Sequence, residues 1–196
     1  QGNRIWLNNG SGSFSDSGQS LGTSWSHGVS LGDLDGDGDL DAFTANNEQG
    51  NRIWLNNGSG NFSDTGQSLG SAHSYGISLG DLDGDGDLDA FGVNGPISGE
   101  SGPQGANKVW LNNGSGSFSD SGQSLGTSSS REVALGDVDG DGDLDAFIPN
   151  GYTQANKVWL NNGSGSFVDS GQSLGSSNSL GASLGDVDGD GDLDAF

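Results

Sequence analysis

Short hydrophobic runs recur along the chain and alternate with polar residues in the period of two that is typical of β-strands. In the first 48 residues this pattern predicts strands over Asn3–Asn8, about Ser13–Leu21, Gly28–Gly32 and Leu40–Ala45. The first two are joined by a turn containing Asn9-Gly10, a pair that accepts the positive φ of a tight hairpin. Hydrophobic residues at helical spacing are absent. We therefore predict an all-β fold of short antiparallel strands.

The same pattern of four strands occurs four times. The period is marked by four tryptophans with spacings of 48, 56 and 49 residues: Trp6, Trp54, Trp110 and Trp159. A period near 50 is typical of a propeller blade, so we predict a β-propeller of four-stranded antiparallel blades. The repeats span approximately residues 1–48, 49–104, 105–153 and 154–196. The longest spacing is attributed to a loop insertion within Gly92–Ala106, which contains Pro96 and Pro103.

Both faces of a propeller blade pack on neighbouring blades, so hydrophobic residues on both sides of each strand are expected to be buried. In the first repeat the predicted core residues are Ile5, Trp6, Leu7, Phe14, Leu21, Val29, Leu31, Leu40 and Phe43. The four tryptophans lie in the middle of strands and occur in every repeat. We interpret them as packing residues between blades, in preference to ligand-binding residues.

A loop with five aspartates lies between the third and fourth predicted strands. In the first repeat it is Asp33-Leu-Asp-Gly-Asp-Gly-Asp-Leu-Asp41, and it returns three times. Aspartates this dense repel one another unless a cation lies among them. Hard, flexible, multidentate oxygen ligands suit calcium best, so we predict four Ca²⁺ sites. The candidate metal ligands are Asp33, Asp35, Asp37, Asp39, Asp41, Asp81, Asp83, Asp85, Asp87, Asp89, Asp137, Asp139, Asp141, Asp143, Asp145, Asp186, Asp188, Asp190, Asp192 and Asp194.

The net charge of −22 comes mainly from these loops, which hold 20 of the 27 acidic residues. Four bound calcium ions would leave about −14, which still opposes nucleic acid as a partner. The sequence has no basic run and no apolar stretch near ~20 residues, so membrane insertion is not expected. If the loops bind calcium weakly they need millimolar calcium, which favours an extracellular or cell-surface location.

The repeats resemble the FG-GAP/VCBS repeats of integrin-like β-propellers over essentially the whole chain. The resemblance rests on the segment Leu31–Phe43 with its three copies, and on the Leu-Asn-Asn-Gly-x-Gly-x-Phe turns. It implies that the calcium loop joins the first and second strands of a blade. It also implies that loop positions one, three, five and nine bind calcium through their carboxylates, and position seven through its backbone carbonyl. In the first loop these are Asp33, Asp35, Asp37 and Asp41, with the carbonyl of Asp39.

Four repeats are fewer than the seven or eight blades that are common in that family. Under the resemblance, the chain begins on the third strand of one blade and ends on the second strand of another. Three arrangements stay open. The chain closes on itself by pairing Gln1–Leu21 with Gly181–Phe196, two chains form one eight-bladed ring as a homodimer, or the chain is part of a longer array.

Two connections differ strongly between repeats. One is residues 23–28 and its equivalents, and the other follows the fourth strand (Thr44–Gly50, Gly92–Ala106 and Ile148–Ala155). Both are expected on one face, opposite the aspartate loops. Aromatic and polar side chains there suit a sugar or peptide ligand, while drift in exposed loops would give the same variation. The candidate ligand-binding residues are Trp25, His27, His73, Tyr75, Arg131 and Tyr152.

These features together predict an extracellular calcium-binding propeller that acts as a recognition or adhesion module for a glycan or protein ligand. A lectin is the sharper form of this hypothesis. The alternatives are a purely structural scaffold stapled by calcium, or an accessory module of a carbohydrate-active enzyme. Enzyme activity is not expected, because two His, three Glu and no Cys supply few general acids, bases or nucleophiles.

Overall fold

A computed structural model describes residues 2–70, 73–95 and 105–196 of the chain. In these residues the strands are β1 (Asn3–Asn8), β2 (Phe14–Leu21), β3 (Trp25–Gly32), β4 (Asp41–Asn47), β5 (Arg52–Asn56), β6 (Phe62–Asp64), β7 (Ser74–Gly80), β8 (Asp89–Asn94), β9 (Lys108–Asn112), β10 (Phe118–Asp120), β11 (Ala134–Gly136), β12 (Asp145–Ile148), β13 (Lys157–Asn161), β14 (Phe167–Asp169), β15 (Leu184–Gly185) and β16 (Asp194–Ala195). Within the described ranges, no helix has the length and apolar character needed to cross a membrane.

The strands form three complete antiparallel sheets and two terminal hairpins. Sheet 1 contains β3 to β6, sheet 2 contains β7 to β10, and sheet 3 contains β11 to β14, each in sequential order. The N-terminal hairpin is β1–β2 and the C-terminal hairpin is β15–β16. Each complete sheet takes two strands from one repeat and two from the next. The all-β prediction with four-stranded antiparallel sheets is thus confirmed.

The two terminal hairpins remain separate two-stranded sheets. No strand pairing between described residues joins β1 or β2 to β15 or β16. The pairing of the two chain ends that would close a four-bladed ring is therefore not present in this structure.

The strand limits agree with the sequence prediction for β1 and differ at the variable face. β3 begins at Trp25 and β4 extends to Asn47, because these two residues pair across the ladder, with a bulge before Gly28. In the second repeat β8 continues to Asn94, so Gly92 belongs to a strand and not to the predicted loop. The central part of the predicted insertion, residues 96–104, lies outside the described residues.

In the part of the chain that the structure describes, the hydrophobic core consists of three clusters, each formed between two successive sheets or between a terminal hairpin and a sheet. One cluster joins sheets 2 and 3 and contains Phe91 packed edge-on against Phe167, with ring centroids 5.1 Å apart. The second joins sheets 1 and 2, where Phe43 packs against Phe118 at 5.3 Å. The third lies between the N-terminal hairpin and sheet 1. Burial therefore depends on having a neighbouring sheet on each side.

Most of the core predicted for the first repeat is exposed. Leu21 and Phe43 are buried and Ile5 is half-buried, whereas the other six are exposed: Trp6, Leu7, Phe14, Val29, Leu31 and Leu40. The prediction is wrong for these six. Their counterparts in later repeats are covered by an adjacent sheet, which the first repeat lacks on one side.

The repeated tryptophans pack at the boundaries between sheets, as the sequence predicted, wherever a preceding sheet exists. Each ring lies against a glycine of the preceding sheet or hairpin, and a Cβ at that glycine would be 3.3 Å from the ring. The pairs are Trp54 with Gly22, Trp110 with Gly70, and Trp159 with Gly126. Each of these glycines has a positive φ, so the bare backbone is required both for its conformation and for the close approach.

Candidate metal centres and the variable face

The four aspartate loops occupy equivalent places in the fold. The first three connect β3 to β4, β7 to β8 and β11 to β12, and the fourth connects β15 to β16 within the C-terminal hairpin. The two glycines in each loop have positive φ, for example Gly36 and Gly38, which allows the tight turn.

Each loop brings three carboxylates together. In every case one oxygen from each of three aspartates lies within 4.8 Å of the other two. The four groups are Asp33, Asp35, Asp37; Asp81, Asp83, Asp85; Asp137, Asp139, Asp145; and Asp186, Asp188, Asp194. Three hard oxygen donors at this separation can surround one divalent cation.

Backbone N–H groups hold the first aspartate of each loop in place. Gly36 N donates to Asp33 Oδ1 at 2.8 Å and Gly38 N donates to Asp33 Oδ2 at 3.0 Å. The same two bonds occur in the other three loops with nearly the same lengths. The loop conformation is therefore repeated in all four copies.

The ninth aspartate ties its loop to the adjacent strand. Asp41 is fully buried, and its carboxylate accepts from Leu34 N at 2.9 Å and from Asn56 N at 2.7 Å. Asp89 and Asp145 make the equivalent pairs of bonds. In the fourth loop Asp194 is partly exposed, and among the described residues its carboxylate accepts only from Val187 N, at 3.0 Å.

The seventh aspartate lies outside the cluster of three carboxylates in each loop. The side chain of Asp39 lies against Gly58 in the next hairpin turn of the same sheet, and Asp87 and Asp143 lie likewise against Gly114 and Gly163. This placement is compatible with the expected use of the backbone carbonyl at this position. The fifth aspartate joins the oxygen cluster in the first two loops, whereas Asp141 and Asp190 lie outside the clusters of the last two.

Burial and crowding raise the pKa of several loop carboxyls. The largest effect is at Asp89, where burial raises the pKa to about 6, against the opposing backbone bonds from Asn112 and Leu82. Burial and the nearby negative carboxylates also raise the pKa of Asp35, Asp83 and Asp139. These shifts indicate that the loops hold unfavourable negative charge that a cation would neutralise.

On the opposite face, side chains from successive repeats form one stack. The His27 and Tyr75 rings are parallel within 14°, with centroids 4.5 Å apart. The Arg131 guanidinium lies 4.7 Å from the centre of the Tyr75 ring and 5.3 Å from that of Tyr152. Desolvation, followed by the charges of Arg131 and His73, lowers the pKa of His27 and so favours the neutral ring.

Four of the six candidate ligand-binding residues thus lie together, and the other two lie nearby. Trp25 is 75% exposed at the start of β3, and His73 contacts the Asn47 side chain through its Nδ1. The prediction that Trp25 and His27 lie in a loop is wrong, because both belong to β3.

Arg131 differs from the other four cations of the chain. Each of those forms an ion pair across the first hairpin of its repeat: Arg4–Asp16, Arg52–Asp64, Lys108–Asp120 and Lys157–Asp169. Arg131 stacks on aromatic rings, and its Nε is buried without a hydrogen-bond partner among the described residues. The stack was not predicted from the sequence, although His27, Tyr75 and Arg131 share the fifth position of the variable segment.

Tyr152 of the stack and the following residue, Thr153, have positive φ values of 53° and 61°. Positive φ in two successive non-glycine residues marks a strained turn, a feature that often accompanies functional sites.

The sheets and loops define a class of all-β repeat protein with one acidic loop in each repeat. A family profile described as FG-GAP-like repeat matches residues 1–44, 33–92, 97–148 and 137–196. The chain therefore belongs to the FG-GAP-like repeat family, as the sequence resemblance predicted. FG-GAP repeats commonly bind Ca²⁺. A comparison with curated proteins returned no match.

Proposed function

We propose that this chain is a calcium-binding module of the propeller type, with one Ca²⁺ in each aspartate loop. The observation that supports this most strongly is the fourfold recurrence of three carboxylate oxygens within 4.8 Å of one another. Three negative charges at such separations destabilise the loop, unless a cation compensates them. The carboxylate clusters occur at equivalent places in all four repeats, so chance does not explain them well.

The residues fit calcium by their chemistry. All donors are hard oxygens, and backbone N–H groups already orient the first and ninth carboxylates, as at Asp33 and Asp41. A bound calcium ion would neutralise the loop and supply a strong link between the strands on either side. In the first loop Asp33, Asp35 and Asp37 would hold it by their side chains.

The role of calcium in this proposal is structural. At a calcium concentration ~100 times the dissociation constant, one site stabilises a folded protein by about 2.7 kcal/mol. Four independent sites would contribute ~11 kcal/mol, which is comparable to the total stability of a typical domain. Loops of moderate affinity would achieve this in millimolar calcium, so we place the module outside the cell or at its surface.

Calcium titration calorimetry of the metal-free chain tests the metal sites. We expect four ions per chain, and Asp35→Ala is expected to weaken or remove one of them. Asp120→Ala is the matched control, because Asp120 pairs with Lys108 outside the loops and is expected to leave four ions. Absence of calcium binding by the parent chain would contradict the proposal.

We further propose that the variable face recognises a glycan or protein ligand. The observation that favours this is the exposed Trp25, two residues before His27 in β3, together with the stack of aromatic and cationic side chains that includes His27. Aromatic rings beside polar groups bind the apolar faces and hydroxyls of sugars well. The alternative is a scaffold with calcium staples and no ligand, alone or as an accessory module of a carbohydrate-active enzyme. We propose no catalytic role for this face.

A glycan array separates recognition from the scaffold alternative. Tyr75 is a poor target for mutation because its ring faces contact His27 and Arg131 and support the local structure. Trp25 is exposed, so Trp25→Ala is expected to abolish binding without lowering the unfolding temperature, and Trp25→Phe is expected to retain much of it. A parent chain that binds no glycan and no protein ligand would favour the scaffold.

A further inference from the structure

We propose that two copies of this chain join head to tail at both ends, so that each C-terminal hairpin pairs with the N-terminal hairpin of the other copy. The two hairpins together would form a fourth complete sheet, with β16 beside β1 of the partner. This inference rests on the fold and does not depend on the proposed ligand. Three contacts recur between successive sheets inside the chain. The matching residues at the two ends of the chain do not make these contacts.

The first recurring contact is the tryptophan against glycine. Trp54, Trp110 and Trp159 each lie against a glycine of the preceding sheet or hairpin. The fourth tryptophan, Trp6, is 58% exposed, whereas Trp110 is 2% exposed. The fourth glycine is Gly175, and no atom of the described residues lies within 4 Å of a Cβ built on it. The unused tryptophan is at the N-terminal end and the unused glycine is near the C-terminal end.

The second recurring contact is a pair of leucines against a strand glycine. A Cβ at Gly32 would lie 2.6 Å from Leu88 and 3.1 Å from Leu79 of the next sheet. Gly80 and Gly136 meet the equivalent leucines in the same way. At the chain ends the leucines and the glycine of this contact are again found at opposite ends of the chain. Leu31 and Leu40 are exposed in sheet 1, while Gly185 in β15 has open space around it.

The third recurring contact is a glutamine that clasps the next hairpin turn. Gln67 Nε2 donates to Gly116 O at 2.6 Å, and its Oε1 accepts from Phe118 N at 2.8 Å. Gln19 and Gln123 make the same pair of bonds. Gln172 is the fourth glutamine, and among the described residues its side chain makes no such bonds. Its counterparts would be Gly12 and Phe14 at the other end of the chain.

The two exposed strand edges match as well. In each complete sheet the ninth loop aspartate accepts from an asparagine N–H of the neighbouring strand, as Asp41 does from Asn56. Asp194 in β16 lacks this bond, and the matching asparagine in β1 is Asn8. Pairing β16 with β1 of the partner would form the missing bond. It would also cover two open edges, which soluble proteins generally protect.

A second copy fits these ends better than closure of one chain. The contacts between successive sheets have nearly the same distances at each boundary, so the relative placement of neighbouring sheets is set by their packing. With those contacts in place the two terminal hairpins remain unpaired. A cleft of about 480 Å³ also lies between β1 and β3, lined by Trp6, Val29 and Leu31. The partner's C-terminal hairpin would occupy this position.

In this arrangement the facing strand edges of the two terminal hairpins are paired in both copies. Each contributes three complete sheets, and two shared sheets complete a ring of eight, which lies within the usual range for propellers. Head-to-tail contacts that close in this way give a ring, whereas contacts that fail to close give open filaments.

The first test is the mass in solution by light scattering, in millimolar calcium, over a range of protein concentrations. We expect the mass of two chains. A mass of one chain at all concentrations would overturn the proposal, whether the single chain is open or closed on itself. A continuous series of larger species would overturn it too, because the ring would not have closed.

The sharpest variant is Gly185→Val. The site has open space in the single chain and lies in a strand, where valine is favourable, so the fold is expected to persist. In the assembly the valine side chain would collide with Leu31 and Leu40 of the other copy. The mass in solution is therefore expected to fall to that of one chain. A two-chain mass for a folded Gly185→Val protein would overturn the proposed contact.

One further variant tests the glutamine contact, and another serves as a control. Gln172→Ala removes two proposed bonds at each end contact and is expected to weaken association about tenfold or more. Val168→Ser changes an exposed valine to the serine found at the same position in the other three repeats, and the mass is expected to stay that of two chains. Unchanged association of Gln172→Ala would contradict the proposed clasp.

Discussion

The three complete sheets and the two terminal hairpins are built from the same repeat, yet they differ sharply in burial. Phe167 is 5% exposed in sheet 3, whereas Phe14 at the same position of the N-terminal hairpin is 63% exposed. Loop residue Leu34 is 1% exposed, and its counterpart Val187 is 76% exposed. The repeat therefore specifies a hairpin and a loop by itself. Its core forms only when sheets stand on both sides, as in other repeat proteins.

The largest difference between the two regions is expected at the ninth loop aspartate. Asp89→Ala would leave the buried N–H groups of Leu82 and Asn112 without acceptors, at about 1–3 kcal/mol each. Asp194→Ala removes one bond in an exposed loop and is expected to cost within about 0.5 kcal/mol. Urea unfolding in metal-free buffer, at a dilution where single chains predominate, measures both.

Equal losses for Asp89→Ala and Asp194→Ala under those conditions would show that the fourth loop is already as well supported as the second. The burial difference would then have no energetic consequence.

The tryptophans provide the next comparison. Trp110→Ala removes a buried ring between sheets 1 and 2 and is expected to cost about 3–5 kcal/mol. Trp6→Ala is expected to cost about 1 kcal/mol or less in the single chain, because its ring is exposed. At concentrations where two chains associate, the difference between the losses of stability caused by Trp110→Ala and by Trp6→Ala is expected to become smaller. A gap that is independent of concentration would count against packing of Trp6 on a partner.

The smallest expected effect is a pH dependence at Asp89. In the metal-free folded chain its pKa is about 6, against 3.8 as the reference value. The folded state then binds the proton more tightly, so this carboxyl stabilises the fold below pH 3.8 and loses that contribution as the pH rises through about 6. The unfolding temperature of the metal-free chain is therefore expected to fall between about pH 4 and about pH 6.

Calcium is expected to reverse this trend, since protons and calcium compete for the same carboxylates. The increase in unfolding temperature that calcium produces should therefore grow over the same pH range. Asp89→Asn should flatten the metal-free slope, while Asp194→Asn in the exposed loop should leave it as in the parent chain. Identical slopes for all three proteins would contradict the assignment to Asp89.

The sequence predicted the local structure well because its signals are local. The limits of β1, the Asn-Gly turns and the four aspartate loops all follow from residues adjacent in the chain. The clustering of Asp33, Asp35 and Asp37 follows likewise from their spacing and from the glycines between them. The family assignment rested on the same repeated segments and was confirmed.

Features that depend on distant residues were missed or wrongly predicted. The extra length of β3 comes from Trp25 pairing with Asn47, and the stack of His27, Tyr75 and Arg131 comes from three different repeats. The exposure of Trp6 also depends on residues that are distant in the sequence. Its strand, Asn-Arg-Ile-Trp-Leu-Asn, closely matches the strand of Trp110, Asn-Lys-Val-Trp-Leu-Asn, and the absence of a covering sheet leaves its ring in solvent.

The sequence by itself determined the strands, the turns and the carboxylate clusters, because backbone preferences and ligand spacing act over a few residues. The tertiary structure alone decided which copies of the repeat are buried, how the variable segments combine into one stack, and which contacts stay unused at Trp6, Gly175 and Gly185. The physical reason is that packing requires a partner surface. Four similar repeats present similar surfaces, but only their order in space determines which surfaces meet.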